Sequence, residues 1–163
     1  MEFSVFSDCA QNLFKEFSKI FVSAPVVLCV GNPCFEEDLL GPLVGSTLKK
    51  LGYKNEVYGT MQNPICANNL FLAQKFVKKI HVGQKILVVD ASTSQNHERL
   101  GKIVLKKNYV PFNPNLKNTK LKADFFLFGV SSVCGQIFPQ MFYAKTLLVQ
   151  KIANLISKSL ALF

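Results

Sequence analysis

The sequence contains few acidic residues and no tryptophan. Ten Asp and Glu residues stand against nineteen Lys and Arg residues, which gives a net charge of +9 over 163 residues. The five cysteines are scattered and none belongs to a Cys-x-x-Cys pair, so neither a disulfide framework nor a zinc knuckle is indicated. The chain also lacks a signal-peptide pattern and an apolar run long enough to span a bilayer. We therefore expect a cytoplasmic protein with reduced thiols and no membrane partner.

Phosphate-binding motifs are missing as well. The sequence has neither Gly-x-Gly-x-x-Gly nor the Gly-Lys-Ser/Thr end of a phosphate loop. The nearest candidate, GNPCFEEDLLG at residues 31–41, contains three acids that would repel a phosphate. We therefore expect no nucleotide and no other cofactor.

Positive charge is densest in residues 101–122, which contain six lysines and no acid. A basic surface can steer a protein toward nucleic acid, but lysine-rich faces are usually only solvated. No recognition helix, RNP-type aromatic pattern or zinc finger accompanies this segment. We therefore do not expect nucleic-acid binding, and the basic segment Lys102–Lys122 is a candidate surface for a peptide or an acidic protein.

The apolar pattern predicts strands that alternate with helices. Short β-branched apolar runs indicate buried strands, and apolar residues three and four positions apart indicate helices. The predicted strands are 24–31, 55–60, 85–92, 101–107 and 124–132, and the predicted helices are a leading helix within 1–22, capped by Ser7 or Asp8, and helices at 38–52, 63–80 and 139–160. This alternation indicates a single α/β domain over residues 1–163, with a largely parallel sheet that can have an antiparallel edge.

Two carboxylates are predicted to meet at one edge of this sheet. Asp38 follows the first buried strand at the start of a helix, and Asp90 ends the strand KILVVD. Reacting groups in open α/β sheets collect beyond the carboxyl ends of the strands. Two acids held close together can share one proton, which lets the pair activate a water molecule and protonate a leaving group. Peptide hydrolysis is a reaction that such a pair can perform.

Simpler roles are open for each acid of this loop and strand. Asp38 could cap a helix, because a carboxylate there accepts backbone N–H bonds, and Asp90 could cap the turn that follows it. Glu36 and Glu37 are expected to be solvated loop acids that only add negative charge.

Three asparagines are candidates for binding a substrate. Asn32, Asn63 and Asn68 could donate hydrogen bonds to a peptide backbone along the wall of a cleft. The alternative is that asparagines in these polar segments form turns and helix caps.

Thiol and metal chemistry are weaker alternatives. Cys34 lies in the acidic loop and could act as a nucleophile with His81 or His97, although both histidines lie in polar, turn-like segments. A metal site would gather Asp38, Asp90 and His97, which is a weak signature. We therefore predict no metal.

The order of several motifs resembles that of a known family. The motifs cover residues 24–156 and are VVLCVGNPCFEEDLLGPLVGSTL, VYGTMQNPICANNL, KILVVDAS, GKIVLKK and FFLFGVSSVCG. In these motifs the sequence resembles the YyaC-type sporulation proteins, relatives of the germination protease of spore-forming bacteria, and more distantly the hydrogenase maturation endopeptidases. The resemblance implies a three-layer α/β/α sandwich of the phosphorylase/hydrolase-like type.

The resemblance also implies a function. By similarity to the germination protease, Asp38 and Asp90 are the catalytic pair. The hydrogenase maturation enzymes hold a metal at these two positions with a downstream histidine, and no histidine follows His97 here, which favours the metal-free, aspartic-type mechanism. The implied protein is a sporulation-associated peptidase of the cytoplasm, forespore or spore core that acts on a peptide or a spore protein. A catalytically silent binding module and a metal-dependent endopeptidase are the alternatives, and a homo-oligomer is left open.

Overall fold

The structure is a computed structural model that describes residues 1–109, 123–134 and 142–163. Within these ranges the chain forms six strands and four α-helices. The strands are β1 (Glu2–Ser4), β2 (Val26–Cys29), β3 (Val57–Tyr58), β4 (Ile86–Ser94), β5 (Lys102–Lys107) and β6 (Phe125–Val133), and the helices are α1 (Ala10–Ile20), α2 (Leu40–Lys50), α3 (Leu70–Ile80) and α4 (Phe142–Leu160). Two 3₁₀ turns, Glu36–Asp38 and His97–Arg99, lie in the loops after β2 and β4.

The strands form one sheet in the order β1-β5-β6-β4-β2-β3. Strands β3, β2, β4 and β6 run parallel to one another, whereas β5 runs antiparallel to both of its neighbours. The largely parallel sheet is therefore confirmed. The predicted antiparallel edge is confirmed as well, because β1 and β5 form one edge of the sheet and pair antiparallel, with Glu2 opposite Val104.

Helices cover both faces of the sheet. Helices α1, α2 and α4 pack on one face and form a buried cluster with alternate strand residues such as Val27 and Val89. Helix α3 packs on the other face, where Val77 joins a second cluster with Leu28 and Val88. The sandwich of helices around a mixed sheet confirms the predicted fold class.

The two central strands are buried on both faces at the level of these clusters. All four residues of β2 and the first four residues of β4 are buried, as expected for the continuous apolar runs VVLC and ILVV. Successive side chains of a strand point to opposite faces. Since Val88 faces α3 and Val89 faces the other helices, Asp90 lies on the α3 face of the sheet.

The N-terminal segment differs from the prediction. Residues 1–22 contain the short strand β1 in addition to a helix, and neither Ser7 nor Asp8 caps that helix. Its N-cap is Cys9, which makes no side-chain capping bond. Asp8 instead accepts a hydrogen bond from the backbone N–H of Ser4 at 2.7 Å and so closes the turn between β1 and α1.

Two predictions concern residues that the structure does not describe. These are the last three lysines of the basic segment and Pro139 as the start of the last helix. Among the helices within the described ranges, none combines the length and the apolar character needed to cross a membrane.

Two glycines bring the start of α2 against the end of β2. A Cβ atom on Gly41 would lie 2.0 Å from the carbonyl oxygen of Val30, and one on Gly31 would lie 2.1 Å from that of Asp38. Gly31 also has a φ of +153°, which L-residues rarely adopt. The helix therefore approaches the strand closely enough to constrain the loop between them.

Candidate active site

The loop between β2 and α2 carries Asp38 at its end. Asp38 is partly buried, and its Oδ2 accepts a hydrogen bond from the backbone N–H of Asn32 at 2.7 Å. This bond crosses the loop and holds the carboxyl group near the end of β2. The N-cap of α2 is Leu39, so Asp38 does not have the capping role that was its simpler alternative.

Asp90 lies where β4 loses its neighbour β2. The ladder between these strands ends at Val89, while β4 itself continues beside β6 as far as Ser94. The prediction that Asp90 ends its strand is therefore wrong, since pairing with β6 extends the strand by four more residues. Asp90 is nevertheless at the C-terminal edge of the β2–β4 pair, from which the Asp38 loop departs.

The ionisation of the two acids is linked. Burial, and secondarily the negative charge of Asp38, raise the pKa of Asp90 to about 7, and a hydrogen bond from the backbone of Ala91 opposes that shift. Burial also raises the pKa of Asp38, against the hydrogen bond from Asn32. The two acids are therefore close enough for one charge to disfavour the other. Such a pair holds one proton over a pH range in which two exposed carboxylates would both be ionised.

Glu36 is bound to the last helix and is not a solvated acid. Its Oε1 accepts a hydrogen bond from Oγ1 of Thr146 on α4 at 3.1 Å, and its Oε2 is buried with no hydrogen-bond partner among the described residues. Ser131 on β6 donates a second anchoring bond, to the carbonyl oxygen of Glu37 at 3.2 Å. The prediction for Glu36 is wrong because residues far along the chain, on β6 and α4, enclose the acidic loop.

We expect Thr146→Val to lower the free energy of unfolding by about 1–2 kcal/mol, because the valine withdraws a donor from the buried carboxylate of Glu36. Urea unfolding measures this change. Thr146→Ser keeps the hydroxyl and should stay near the wild-type value. In a Glu36→Leu background the same Thr146→Val change should cost much less, and an equal cost in both backgrounds would show that the bond contributes nothing.

Asn32 acts inside the loop through both its backbone and its side chain. Its backbone N–H orients Asp38, and its Oδ1 accepts a hydrogen bond from the backbone N–H of Cys34 at 3.0 Å. The side-chain bond forms an Asx-type turn at the loop start. The structure therefore places Asn32 beside the acid pair, and its role in binding substrate stays a prediction.

Asn63 and Asn68 lie in the segment that links β3 to α3. Asn63 lines an open groove of about 540 Å³ beside β3, and its backbone N–H and C=O bond to Thr60. Asn68 is exposed and does not line that groove. Asn69 makes the local turn, since its Oδ1 accepts from the backbone N–H of Cys66 at 2.9 Å, and α3 begins directly after it. The predicted helix 63–80 is therefore seven residues too long at its start.

The two histidines have different surroundings, and neither completes the predicted metal set. His81 is buried, and its Nε2 lies 2.8 Å from the hydroxyl of Tyr58, which ties α3 to β3. His97 is exposed in the turn after β4. Over residues 1–109, 123–134 and 142–163, no three His, Cys, Asp or Glu side chains come together to hold a metal ion, so the set of Asp38, Asp90 and His97 is not assembled.

Comparison with known proteins extends over nearly the whole chain. A protein-family model described as "Protein of unknown function (DUF1256)" matches residues 2–159. The "Uncharacterized protein YyaC" of Bacillus subtilis (strain 168) is 28% identical over 144 residues, which cover 84% of this chain and 68% of that protein. The similarity to YyaC is therefore confirmed. No solved structure matches the chain.

Proposed function

Because the chain belongs to the DUF1256 family of proteins of unknown function, its activity has to be inferred from its site, and we propose that it is a peptidase in which Asp38 and Asp90 activate water. The observation that carries this proposal is the linked ionisation of the two acids at the C-terminal edge of parallel strands. A strongly perturbed acid with a specific charged neighbour is typical of catalytic sites.

The two acids have different surroundings, which supports different roles. Each acid accepts a backbone N–H bond that favours its ionised form, but Asp90 is more deeply buried and also faces the charge of Asp38, so it holds its proton up to about pH 7. In the proposed reaction the Asp38 carboxylate takes a proton from water, and the water oxygen bonds to the substrate carbonyl carbon. Asp90 donates its proton to the carbonyl oxygen. When the C–N bond breaks, the amine leaves with the proton that Asp38 had taken. One hydroxyl of the intermediate returns its proton to Asp90 as the carboxyl product forms, so both acids regain their starting states.

The resemblance to YyaC-type sporulation proteins supports a spore protein as the substrate. It also supports the cytoplasm of the forespore or the spore core as the location. The mechanism proposed for Asp38 and Asp90 does not depend on either assignment, since it concerns only the peptide bond.

We expect the purified protein to release new peptide termini from a mixture of denatured spore proteins, detected by mass spectrometry. The rate should be highest below about pH 7 and should fall roughly tenfold per pH unit above it, because Asp90 then loses the proton that it donates. A rate that rises steadily through pH 7 to 9 contradicts this assignment of the proton donor.

A chelator separates this mechanism from the metal-dependent alternative. EDTA should leave the rate unchanged if the acid pair acts on water directly. Loss of cleavage in EDTA with recovery on adding Zn²⁺ would replace the proposal with a metal-dependent endopeptidase. A protein that releases no termini at any pH yet retains a peptide in a salt-sensitive way would be a binding module.

A further inference from the structure

A small cavity lies beside Asp90 on the α3 face of the sheet. Its floor includes Val104 of β5 and Phe128 of β6, and its rim includes Ser92 of β4. Phe128 is the direct partner of Asp90 in the β4–β6 ladder, and Ser92 is two residues beyond Asp90 on the same face. Phe128 is therefore about 5 Å from Asp90 across the sheet, and Ser92 is about 7 Å from it along β4, so the cavity begins about 5–7 Å from Asp90.

The wall of this cavity is cationic. Arg99 and Lys106 line it, and none of its described lining residues is acidic. The Nζ of Lys106 lies 4.2 Å from the ring centroid of Tyr109, a contact that orients the ammonium group without neutralising it. Among the described residues Arg99 makes one ion pair, an exposed one at 3.2 Å from its Nη2 to Glu2, and a guanidinium has five N–H donors in all.

The size and the polar groups of the cavity suit a carboxylate. Its volume of about 90 Å³ has room for a small group such as a carboxylate and is small for a nucleotide. The hydroxyl of Ser92 donates a long hydrogen bond of 3.5 Å to the carbonyl oxygen of Thr93. Because this bond is at the limit of hydrogen-bond distance, the hydroxyl can turn toward a ligand. Two cations and a hydroxyl above the apolar side chains of Val104 and Phe128 match a carboxylate with a short aliphatic stem.

We propose that this cavity is a carboxylate-binding subsite, which holds an acidic group of the substrate while the peptide bond lies at Asp38 and Asp90. The substrate part of this inference rests on the proposed peptidase function. Alternate side chains of an extended peptide are about 7 Å apart, so an acidic residue within two positions of the cleaved bond reaches the cavity. The acid pair repels the carboxylate of the substrate, whereas the cations of the cavity attract it. These two effects together position the peptide relative to Asp38 and Asp90.

The carboxylate could belong to an acidic side chain or to the C-terminus of a peptide, and three small probes separate these sources. N-acetylglutamate N-methylamide carries only the side-chain acid, N-acetylalanine carries only the terminal acid, and N-acetylglutamine N-methylamide carries neither. Each is titrated into the ¹⁵N-labelled full chain and followed by NMR. We expect saturable shifts of the Ser92, Lys106 and Tyr109 amides with at least one acid. Binding of the glutamine compound should be about tenfold weaker or more.

Lys106→Met tests the cation, and Lys107→Met is the matched control. Lys107 is the next residue on β5, and it lines a groove with Lys19 and Lys85 instead of the cavity. Lys106→Met should weaken acid binding about tenfold, and Lys107→Met by less than about twofold. The subsite is refuted if neither acid gives a saturable shift, or if the control weakens binding as much as Lys106→Met does.

The same titrations distinguish the subsite from the peptidase proposal, because the probes are bound and not cleaved. If the acids bind as expected but the protein cuts no peptide, the peptidase proposal fails and the subsite stands. The opposite outcome is that the protein cuts peptides with Glu near the cleaved bond as fast as the same peptides with Gln, while neither acid probe binds. In that case the subsite fails and the peptidase proposal stands.

Discussion

Asp90→Asn is expected to abolish peptide cleavage, with kcat lowered about 10³-fold or more. An asparagine can neither carry nor donate the proton that the acid pair exchanges. It has the size of the aspartate and keeps an oxygen that can accept the bond from the backbone of Ala91. The measurement is the rate at which new termini appear, for wild type and variant at the same pH.

The same substitution is expected to raise stability at neutral pH. The pKa of Asp90 is about 7 in the folded protein and about 4 in an unfolded chain. Between these values the unfolded chain releases a proton that the folded protein keeps, so the stability present below pH 4 is progressively lost as the pH rises to 7. The advantage of Asp90→Asn should therefore grow from pH 4 to 7 and then stay constant, at roughly 1–4 kcal/mol.

Asp124→Asn is the matched control for both effects. Burial alone would raise the pKa of Asp124, but hydrogen bonds from Ile86 and Lys85 lower it on balance. Its charge therefore stabilises the fold above pH 4, and that stability is lost as the pH falls. Asp124→Asn should lower stability at pH 7 and leave the cleavage rate unchanged. If Asp90→Asn behaves in this way instead, Asp90 is a structural acid.

Gly41→Ala is expected to lower the free energy of unfolding by about 3 kcal/mol or more. The new Cβ atom would lie 2.0 Å from the carbonyl oxygen of Val30, and a backbone atom cannot rotate away as a side chain can. The helix α2 would have to move off the end of β2, and the Asp38 loop would move with it. Urea unfolding and the yield of soluble protein measure the effect.

Gly52→Ala provides the comparison for this steric effect. Gly52 follows α2 with a φ of +68°, and a Cβ atom there would meet nothing within 4 Å. Only the backbone conformation then opposes alanine, at a cost of roughly 1 kcal/mol. Equal losses from Gly41→Ala and Gly52→Ala would mean that α2 yields to the added methyl group without strain.

The central strands could be predicted from sequence because burial on both faces leaves a continuous apolar run. The runs VVLC and ILVV are apolar at every position, which in a small α/β domain is typical of a central strand that helices cover on both faces. Strand β1 has no such signal, since Glu2–Ser4 contains a single apolar residue. It is a strand because β5 offers it an edge, and that edge exists only in the folded sheet.

In the acid pair, too, some features follow from the local sequence and others depend on distant parts of the chain. Asp38 could be located because a buried strand, a glycine and a helix surround it in the sequence, and the structure adds how its carboxyl group is held. Glu36 could not be assessed in this way. Its environment is formed by Thr146, which is 110 positions farther along the chain, and the sequence around Glu36 does not indicate such a contact. The end of a strand is equally hard to predict, since β4 extends past Asp90 only because β6 lies beside it.

The bond between Glu36 and Thr146 also bears on when the site can form during synthesis. The acidic loop leaves the ribosome about a hundred residues before the helix that holds it, and contacts between such distant parts of a chain form late in folding. Between residues 90 and 131 a growing chain therefore carries both Asp38 and Asp90 without the anchors from β6 and α4. If the acid pair cuts peptides, translation itself delays that activity until α4 has been made and has docked on the loop.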